Sequence, residues 1–406
     1  MTAKRDRVIV AGAGPVGLVL TLRLVQSGVP VTLLEAAPED TFLDQVPRAG
    51  SNQPATLEML AEIGLYDRLE ARGLIAPRFQ YWDRERNERI AEFDHAAIGD
   101  DTRFPYVLQC ERIKLVEEAM AMATAHPACE VLMGTTLAGF TQDESGVTAT
   151  VTGPDGGTRP IEGAFIVGAE GARSVVRKTL GIPFEGFTYP DRVLNIIVAY
   201  DFSRHGFTDR NYLSDPEEWA NLFHWKGPPE AWRVHFPADP DASEELLLDD
   251  AACQARLQRF LPSDTPYEIV GRNLYTVHQR VAARFRGGRA LLAGDSAHVN
   301  SPIGGMGMNS GIHDAMNLGG KLVDILHGDA GLDLLDRYER QRRHVALATV
   351  QAQTIRNKRI LAEKDPAIRR QNHETLRRTA EDPKAARDFI LRASLIESVR
   401  EAAAIQ

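Results

Sequence analysis

"VIVAGAGPVGLVLTLRLVQSGVPVTLLE", residues 8 to 35, decides the first part of the fold. A short β-rich run leads into Gly12, Gly14 and Gly17, with Pro15 and Val16 inside the turn. LVLTLRLVQSG then carries helix-like apolar spacing and stops at Gly28, and VTLLE is a second strand ending in Glu35. Strand, glycine turn, helix, strand and acid together give a GxGxxG its meaning. Gly12 permits the tight turn, Gly14 lets backbone approach a pyrophosphate, and Gly17 lets the helix pack on the strand. The helix start offers unpaired N–H groups and a partial positive charge to phosphates, while Glu35 is placed to accept from ribose hydroxyls. An acid there would repel a 2′-phosphate, so NADP is disfavoured in this pocket. The motif alone does not choose between NAD and FAD.

Composition narrows the partners. With 406 residues, 43% hydrophobic and 25% charged, the chain has an ordinary globular balance with core enough for two or three domains. A formal net charge of -9 argues against nucleic acid or an anionic membrane as the main partner and favours a small molecule. Three scattered cysteines (Cys110, Cys129, Cys253) give no disulfide framework and no CxxC pair, as expected of reduced packing residues in a cytoplasmic protein. No metal site is expected. The glycines and Pro15 spoil a signal-peptide reading of the start, and no 18-residue apolar stretch follows, so a soluble, unprocessed chain without membrane spans is expected.

If the first motif held NAD, a catalytic domain with its own acid–base pair should follow. The chain instead offers two further strand-end glycine motifs: AFIVGAEGARSVVR at 164 to 177 and RALLAGDSAHVNSPIGGMGMNSGIHDA at 289 to 315. Three such elements around one sheet would clasp one long ligand.

On four pieces the sequence resembles the single-component FAD-dependent aromatic hydroxylases, the family typified by 4-hydroxybenzoate hydroxylase and phenol hydroxylase. GAGPVG with Glu35 resembles the family's ADP-binding motif, and PRAGSNQ at 47 to 53 its arginine segment, in which Arg48 would contact the FAD pyrophosphate. VGAEGARSVVR resembles the motif shared between FAD and NAD(P)H contacts, carrying Glu170 and Gly171. LLAGDSAHVNSPIGGMGMNSGIHDAMNL resembles the flavin ribityl and pyrophosphate motif. In VLQCERIKL, Arg112 is the best match for a polar flavin contact and Gln109 the second.

The last motif also has a reading from its chemistry. Asp295 at a strand end can accept from ribityl hydroxyls, with glycine-rich backbone supplying compensating N–H donors. Gly304, Gly305 and Gly307 let the chain pass close to a flat ring, and the amides near Met308 and Asn309 can bind an electron-rich ring edge at the next helix start. Pro302 would be a rigid wall beside the ring, and His298 is either a flavin neighbour or a hydrogen-bonded turn residue. Two positions depart from the family: Glu170-Gly171 stands where Asp-Gly is usual, its carboxylate expected to bond backbone and Arg173, and Met306 stands where Gln is frequent.

The fold implied is α/β: a Rossmann-like FAD-binding domain with an inserted β-sheet substrate domain and a helical C-terminus. The FAD-binding domain is expected from discontinuous segments 1–75, 105–182 and 271–345, the substrate domain from 76–104 and 183–270, and C-terminal helices from 346–406. RVLNIIVAYDF (192 to 202) and AWRVHFP (231 to 237) are β-like, and Trp219, Phe223, His224, Trp225 and Trp232 suggest an aromatic sheet floor. DRYERQRRHVALATVQAQTIRNKRIL (336 to 361) reads as one long amphipathic helix.

The resemblance implies that NADH or NADPH reduces FAD, that O2 adds at flavin C4a as a hydroperoxide, and that hydroxyl passes to a small aromatic substrate, phenolic or hydroxy-heteroaromatic. Deprotonation makes such a ring more nucleophilic, so a base is expected, with Tyr200, Tyr212, His224 and His235 as candidates. Catalytic roles are expected of Pro302, His224 and Tyr212. A homodimer is one assembly the reading allows. The competing readings are a flavin-binding reductase or redox sensor and a flavin halogenase, but EWANLFHWKG (218 to 227) lacks the halogenase WxWxIP pattern.

Overall fold

The computed structural model describes residues 6–43, 50–227 and 230–406. Its first sheet has six strands in the order Arg286–Gly287, Ala290–Leu292, Phe165–Gly168, Val8–Ala11, Val31–Leu34 and Cys129–Leu132. The last five pair in parallel, and Arg286–Gly287 closes one edge antiparallel. Val8–Ala11, Val31–Leu34, Phe165–Gly168 and Ala290–Leu292 are buried throughout, which is why they read as unbroken apolar runs rather than alternating ones.

All three glycine motifs leave adjacent strands of this sheet, so their loops lie side by side at its C-terminal edge, where α/β sheets bind ligands. Close packing forces glycine at several points. A Cβ on Gly17 would lie 1.9 Å from the Gly12 oxygen, and Gly12 itself has φ +99°. Val16, on the helix Pro15–Gln26, wedges between Gly294 and Gly311, where a Cβ would meet its Cγ2 at 2.7 Å in both cases. The helix Gly307–His327 is thereby clamped against the first helix.

The second sheet has eight strands in the order His298–Val299, Ile269–Ala282, Phe184–Val198, Ala231–Ala238, Ala220–Trp225, Arg210–Ser214, Arg78–Asp83 and Glu88–Asp94. The strand Ile269–Ala282 runs through residue 270, so a domain division there falls inside a strand. One face is apolar, with Leu194, Ile196, Leu213, Leu222, Val234 and Phe236 packed under the helix Asp250–Phe260. The other face is polar and aromatic. Cross-strand register places Tyr81, Tyr212, Asn221, His235, Asn195 and Asn273 in one row across six strands. Beside that row Arg210, Phe223 and Arg233 form a second.

From Leu334 to Leu361 the backbone is helical, but it is not one regular helix. Leu334–His344 and Ala352–Leu361 flank a π-helical stretch, Val345–Gln351, of a kind that often marks a functional site. Three further helices, Pro366–Glu381, Pro383–Ala393 and Ile396–Ala404, follow. Among the described residues no helix is long and apolar enough to cross a membrane, and no cluster of potential ligands is suited to a metal ion.

Candidate active site

The dinucleotide turn is built as its sequence requires. Glu35 accepts from the Ala13 and Ala37 amides, both at 2.8 Å, which fixes its carboxylate against the turn. Around Gly14 a Cβ would meet nothing within 4 Å, so this glycine serves the open side of the turn, whereas Gly12 and Gly17 serve packing. Asp295 is exposed between buried Gly294 and Ser296, on the side the glycine loops share. Glu170 does not turn to Arg173: its carboxylate accepts from Val176 N at 2.9 Å and Ser296 Oγ at 3.0 Å. Ser296 Oγ in turn accepts from Gly171 N at 3.0 Å, so the second and third glycine motifs are tied together. Arg48 lies outside the described residues.

Asn309 is a tie within the protein as well as a helix-start residue. Fully buried, it donates to Ser51 O at 2.7 Å and Gly305 O and accepts from Gln53 N at 2.9 Å, holding the glycine loop to residues 51–53. Gly304 and Gly305 have φ +101° and +67°, and Gly305 N donates to Pro302 O at 2.9 Å. Pro302 stands exposed on this turn, and Gly307 and Met308 open the following helix half-buried. Gln109 is buried, accepts from Ser51 Oγ at 2.5 Å and leaves its Nε2 without a partner. Arg112 opens the helix Arg112–Ala125 half-buried. An open Gly14, an exposed Asp295 and an unsatisfied Gln109 amide are what a long, polyhydroxylated, phosphate-bearing cofactor would meet, so the residues present fit FAD.

Beneath the loop is a buried charge cluster that the sequence reading divided among separate residues. Asp314 receives His298 Nε2 at 2.8 Å, Arg342 Nε at 2.6 Å and the Gly294 amide at 3.0 Å. Burial opposes its ionised form, but the charges of His298 and Arg342 outweigh that and hold its pKa at about 2. His298 is therefore a structural partner of Asp314, stacked on Phe285 at 6.0 Å, rather than a group facing open space. His313, on the same helix, bonds Thr56 Oγ1 at 2.9 Å and is kept neutral by burial and by Arg342, with its pKa pushed down to about 3.

Across the glycine loop a cavity of about 250 Å³ opens between the polar sheet face, the π-helical stretch and the C-terminal helices. Gly304, Met306 and Gln53 form its loop side; Phe79, Tyr81, Tyr212, Arg210 and Phe389 form its inner wall. Tyr81 and Tyr212 stack at 5.2 Å, and Arg210 donates to the Tyr212 hydroxyl at 3.1 Å. Of the four base candidates only Tyr212 lines this cavity. Tyr200 bonds His205 at 2.8 Å elsewhere, and His235 lies half-buried on the same polar face with its Nδ1 unpartnered. His224 does not line the cavity: strand alternation turns it to the opposite face, stacked on Trp232 at 4.5 Å and held by Asp209 at 2.8 Å and Glu230 at 2.7 Å. Burial opposes its protonation, but those two carboxylates outweigh it and raise its pKa.

Arg210, Tyr81 and Phe389 were missed in the sequence, although one signal was present: Arg210 and Tyr212, two apart in a strand, must share a face.

This architecture is that of a flavoprotein, and comparison with known proteins agrees. The chain belongs to the FAD binding domain family, whose model matches residues 5–353, and within it to the single-component FAD-dependent aromatic hydroxylases. It is 34% identical over 394 residues to para-nitrophenol 4-monooxygenase of Pseudomonas sp. (strain WBC-3), covering 95% of this chain and 94% of that one. It is 31% identical to 6-hydroxy-3-succinoylpyridine 3-monooxygenase of Pseudomonas putida (strain DSM 28022 / S16), covering 89% and 90%. Its structure matches the crystal structure of p-nitrophenol 4-monooxygenase from Pseudomonas putida DLL-E4 with a TM-score of 0.90 at 32% identity, over 97% of this chain and 98% of that one. These relatives are monooxygenases by name, which leaves the reductase or redox-sensor alternative without support.

Proposed function

We propose that this FAD-dependent monooxygenase uses NAD(P)H and O2 to hydroxylate a small phenolic or hydroxy-heteroaromatic ring in the cavity beside the glycine loop. One oxygen atom enters a ring C–H bond, the other leaves as water, and two electrons come from the nicotinamide. The observation that carries this reading is the cavity itself, aromatic at Phe79, Tyr81 and Phe389, polar at Arg210 and Tyr212 and again on its helical side at Arg356, Arg392, Glu397 and Glu401, and opening on Gly304 and Met306. Its volume lies just below the roughly 300–1,000 Å³ usual for ligand pockets, which suits one ring with small substituents better than a fused polycycle.

When bound, FAD supplies the redox and oxygen-transfer chemistry that closed-shell organic side chains cannot. The protein's part is to hold and shield. The first-turn amides of Pro15–Gln26 and the open side of Gly14 would receive the pyrophosphate, Glu35 a ribose, Asp295 the ribityl hydroxyls, and the Gly307–His327 helix start the electron-rich edge of the ring. Gln109 and Arg112 would be further polar contacts to the cofactor, and Pro302 would wall its ring. Phe79, Tyr81 and Phe389 would exclude water from the substrate ring. Tyr212 would meet the substrate oxygen: because its own oxygen accepts from Arg210, its proton is directed away from Arg210 and is available to a ligand acceptor.

The test is oxidation of NADH or NADPH in air by the FAD-loaded protein with a panel of phenols, hydroxybenzoates and hydroxypyridines, with products analysed by mass. A product one oxygen heavier, formed with substrate-stimulated oxidation, supports the reading. Oxidation that no ring accelerates and that yields no hydroxylated product would overturn it.

A further inference from the structure

A second cavity, of about 230 Å³, lies against the same eight-stranded sheet, where the strands Arg78–Asp83 and Arg210–Ser214 meet the end of the helix Asp250–Phe260. It has no lining residue in common with the ring cavity, yet the two strands serve both. Phe79, Tyr81, Arg210 and Tyr212 line the ring cavity, while Trp82 and Leu213, turned the other way by strand alternation, line this one. Neither cofactor binding nor the ring cavity uses its residues.

Its walls are aromatic on one side and cationic on another. Trp82 and Phe207 lie with ring centroids 4.7 Å apart, Phe260 stands beside them, and Arg84 and Arg259 bring the charge. Arg84 covers the Phe260 ring at 5.4 Å, with its side chain 10% exposed. A guanidinium does not lose its proton in a protein, so the supply of counter-charge decides what such a wall attracts.

Among the described residues Glu218 is the one acid within ion-pair distance of Arg84, at 2.9 Å, and it is shared. Arg256 at 2.7 Å and Arg259 at 3.2 Å bond the same carboxylate. Arg256 is 17% exposed at its side chain, so two largely buried guanidiniums and one at the surface divide a single negative charge. Glu92 and Asp101 also serve two arginines each, but those four side chains are 42% exposed or more and solvent screens them. Asp83, the acid that lines the cavity, is turned to the Arg86 amide at 3.4 Å and to buried His373 at 3.5 Å. Arg84 gives two of its five N–H groups to Glu218, one to the backbone oxygen and one to the carboxylate, and Arg259 gives one.

We propose that this second cavity is a binding site for a small aromatic carboxylate, separate from the ring cavity. The ligand's carboxylate is received by Arg84 and Arg259 and supplies the counter-charge that Glu218 cannot divide among three guanidiniums. Its ring fills the space between Trp82, Phe207 and Phe260. A carboxylate stays charged throughout the neutral range and matches the guanidinium fork, whereas a bare inorganic anion leaves the aromatic wall wet and a neutral ring leaves the surplus charge in place.

The test is calorimetric titration of the FAD-loaded enzyme with benzoate, beside benzyl alcohol, which keeps the ring, and acetate, which keeps the charge. In the native enzyme benzoate is expected to bind about tenfold or more tightly than either. Arg84→Gln should weaken benzoate about tenfold or more, and Arg259→Gln, at the surface, about threefold. Arg210→Gln, which alters the ring cavity alone, should leave a benzoate site within about twofold of native. Should Arg84→Gln fail to fold, the exposed Arg259 still decides the matter. Weakening in Arg210→Gln but in neither of the other variants would assign benzoate to the ring cavity and overturn the proposal. Benzyl alcohol binding as tightly as benzoate would overturn it too, since the arginines would then select nothing. No benzoate binding to the native enzyme would mean that the cavity holds only water.

Discussion

Two buried charged groups lie on either side of the glycine loop, and they are built on opposite terms. Beneath it, Asp314 accepts from His298, Arg342 and the Gly294 amide, so the buried carboxylate and the buried guanidinium are paired inside the chain. Across it, Arg210 lines a cavity with the Tyr212 hydroxyl as its hydrogen-bond partner and the Phe79 ring 5.7 Å away, and among the described residues no ion pair. The residue types are similar; what differs is whether the chain supplies the counter-charge. A balanced cluster fixes the loop in place, whereas an unbalanced one leaves its charge at the cavity wall.

Breaking the balanced side should have the largest effect. Asp314→Asn leaves Arg342 and His298 without their anion, and a loss of about 3–5 kcal/mol in urea denaturation is expected. The same carboxylate sets an acid limit. Its pKa is depressed to about 2, so its contribution is present above the ordinary carboxylate range and is lost as pH falls toward 2. Denaturation midpoints between pH 5 and 2 should fall less steeply in Asp314→Asn than in the native protein.

Gly17 and Gly14 repeat the comparison inside one motif. Gly17→Ala drives a methyl into the Gly12 carbonyl and should cost about 1–3 kcal/mol of stability by thermal melting. Gly14→Ala meets no protein atom and should melt within about 0.5 kcal/mol of native. Its FAD affinity, followed by fluorescence titration, should nevertheless fall about tenfold, or ~1.4 kcal/mol.

The smallest effect is expected at His224, on the far face of the sheet. His224→Gln should leave turnover with any accepted ring near native and cost about 1 kcal/mol or less of stability at pH 6. Because Asp209 and Glu230 raise its pKa, that contribution is complete below its ordinary value and is lost as pH rises through the raised one. The difference between variant and native should therefore vanish in alkaline buffer.

How far the sequence was legible follows from what each reading depended on. Local chemistry was readable: Gly12, Gly14, Glu35 and Asp295 fall just past strand ends and Gly17 in the first turn of the helix, because turn geometry and strand length are set by neighbours in the chain. Contacts between distant segments were not. Nothing in GIHDAMNL or in YERQRRH says that Asp314 and Arg342 meet, because they lie 28 residues apart on different helices. The aromatic cluster around residues 219 to 232 looked like one floor, but strand alternation sends His224 and Trp232 to one face and Phe223 to the other. Arg210 was hidden in a polar stretch, TDRNYLSD, that reads as a turn until its strand register is known. The π-helical stretch 345–351 is likewise invisible in an amphipathic pattern that continues through it.

The contrast between the two arginines is the account's central claim, and one measurement tests it directly: urea denaturation of the FAD-loaded, substrate-free enzyme as Arg342→Gln and as Arg210→Gln. Arg342→Gln should lose about 3–5 kcal/mol, while Arg210→Gln, relieved of an unbalanced buried charge, should be as stable as native or more so. Equal losses in the two variants would contradict the account, because they would mean that Arg210 is already balanced by the fold.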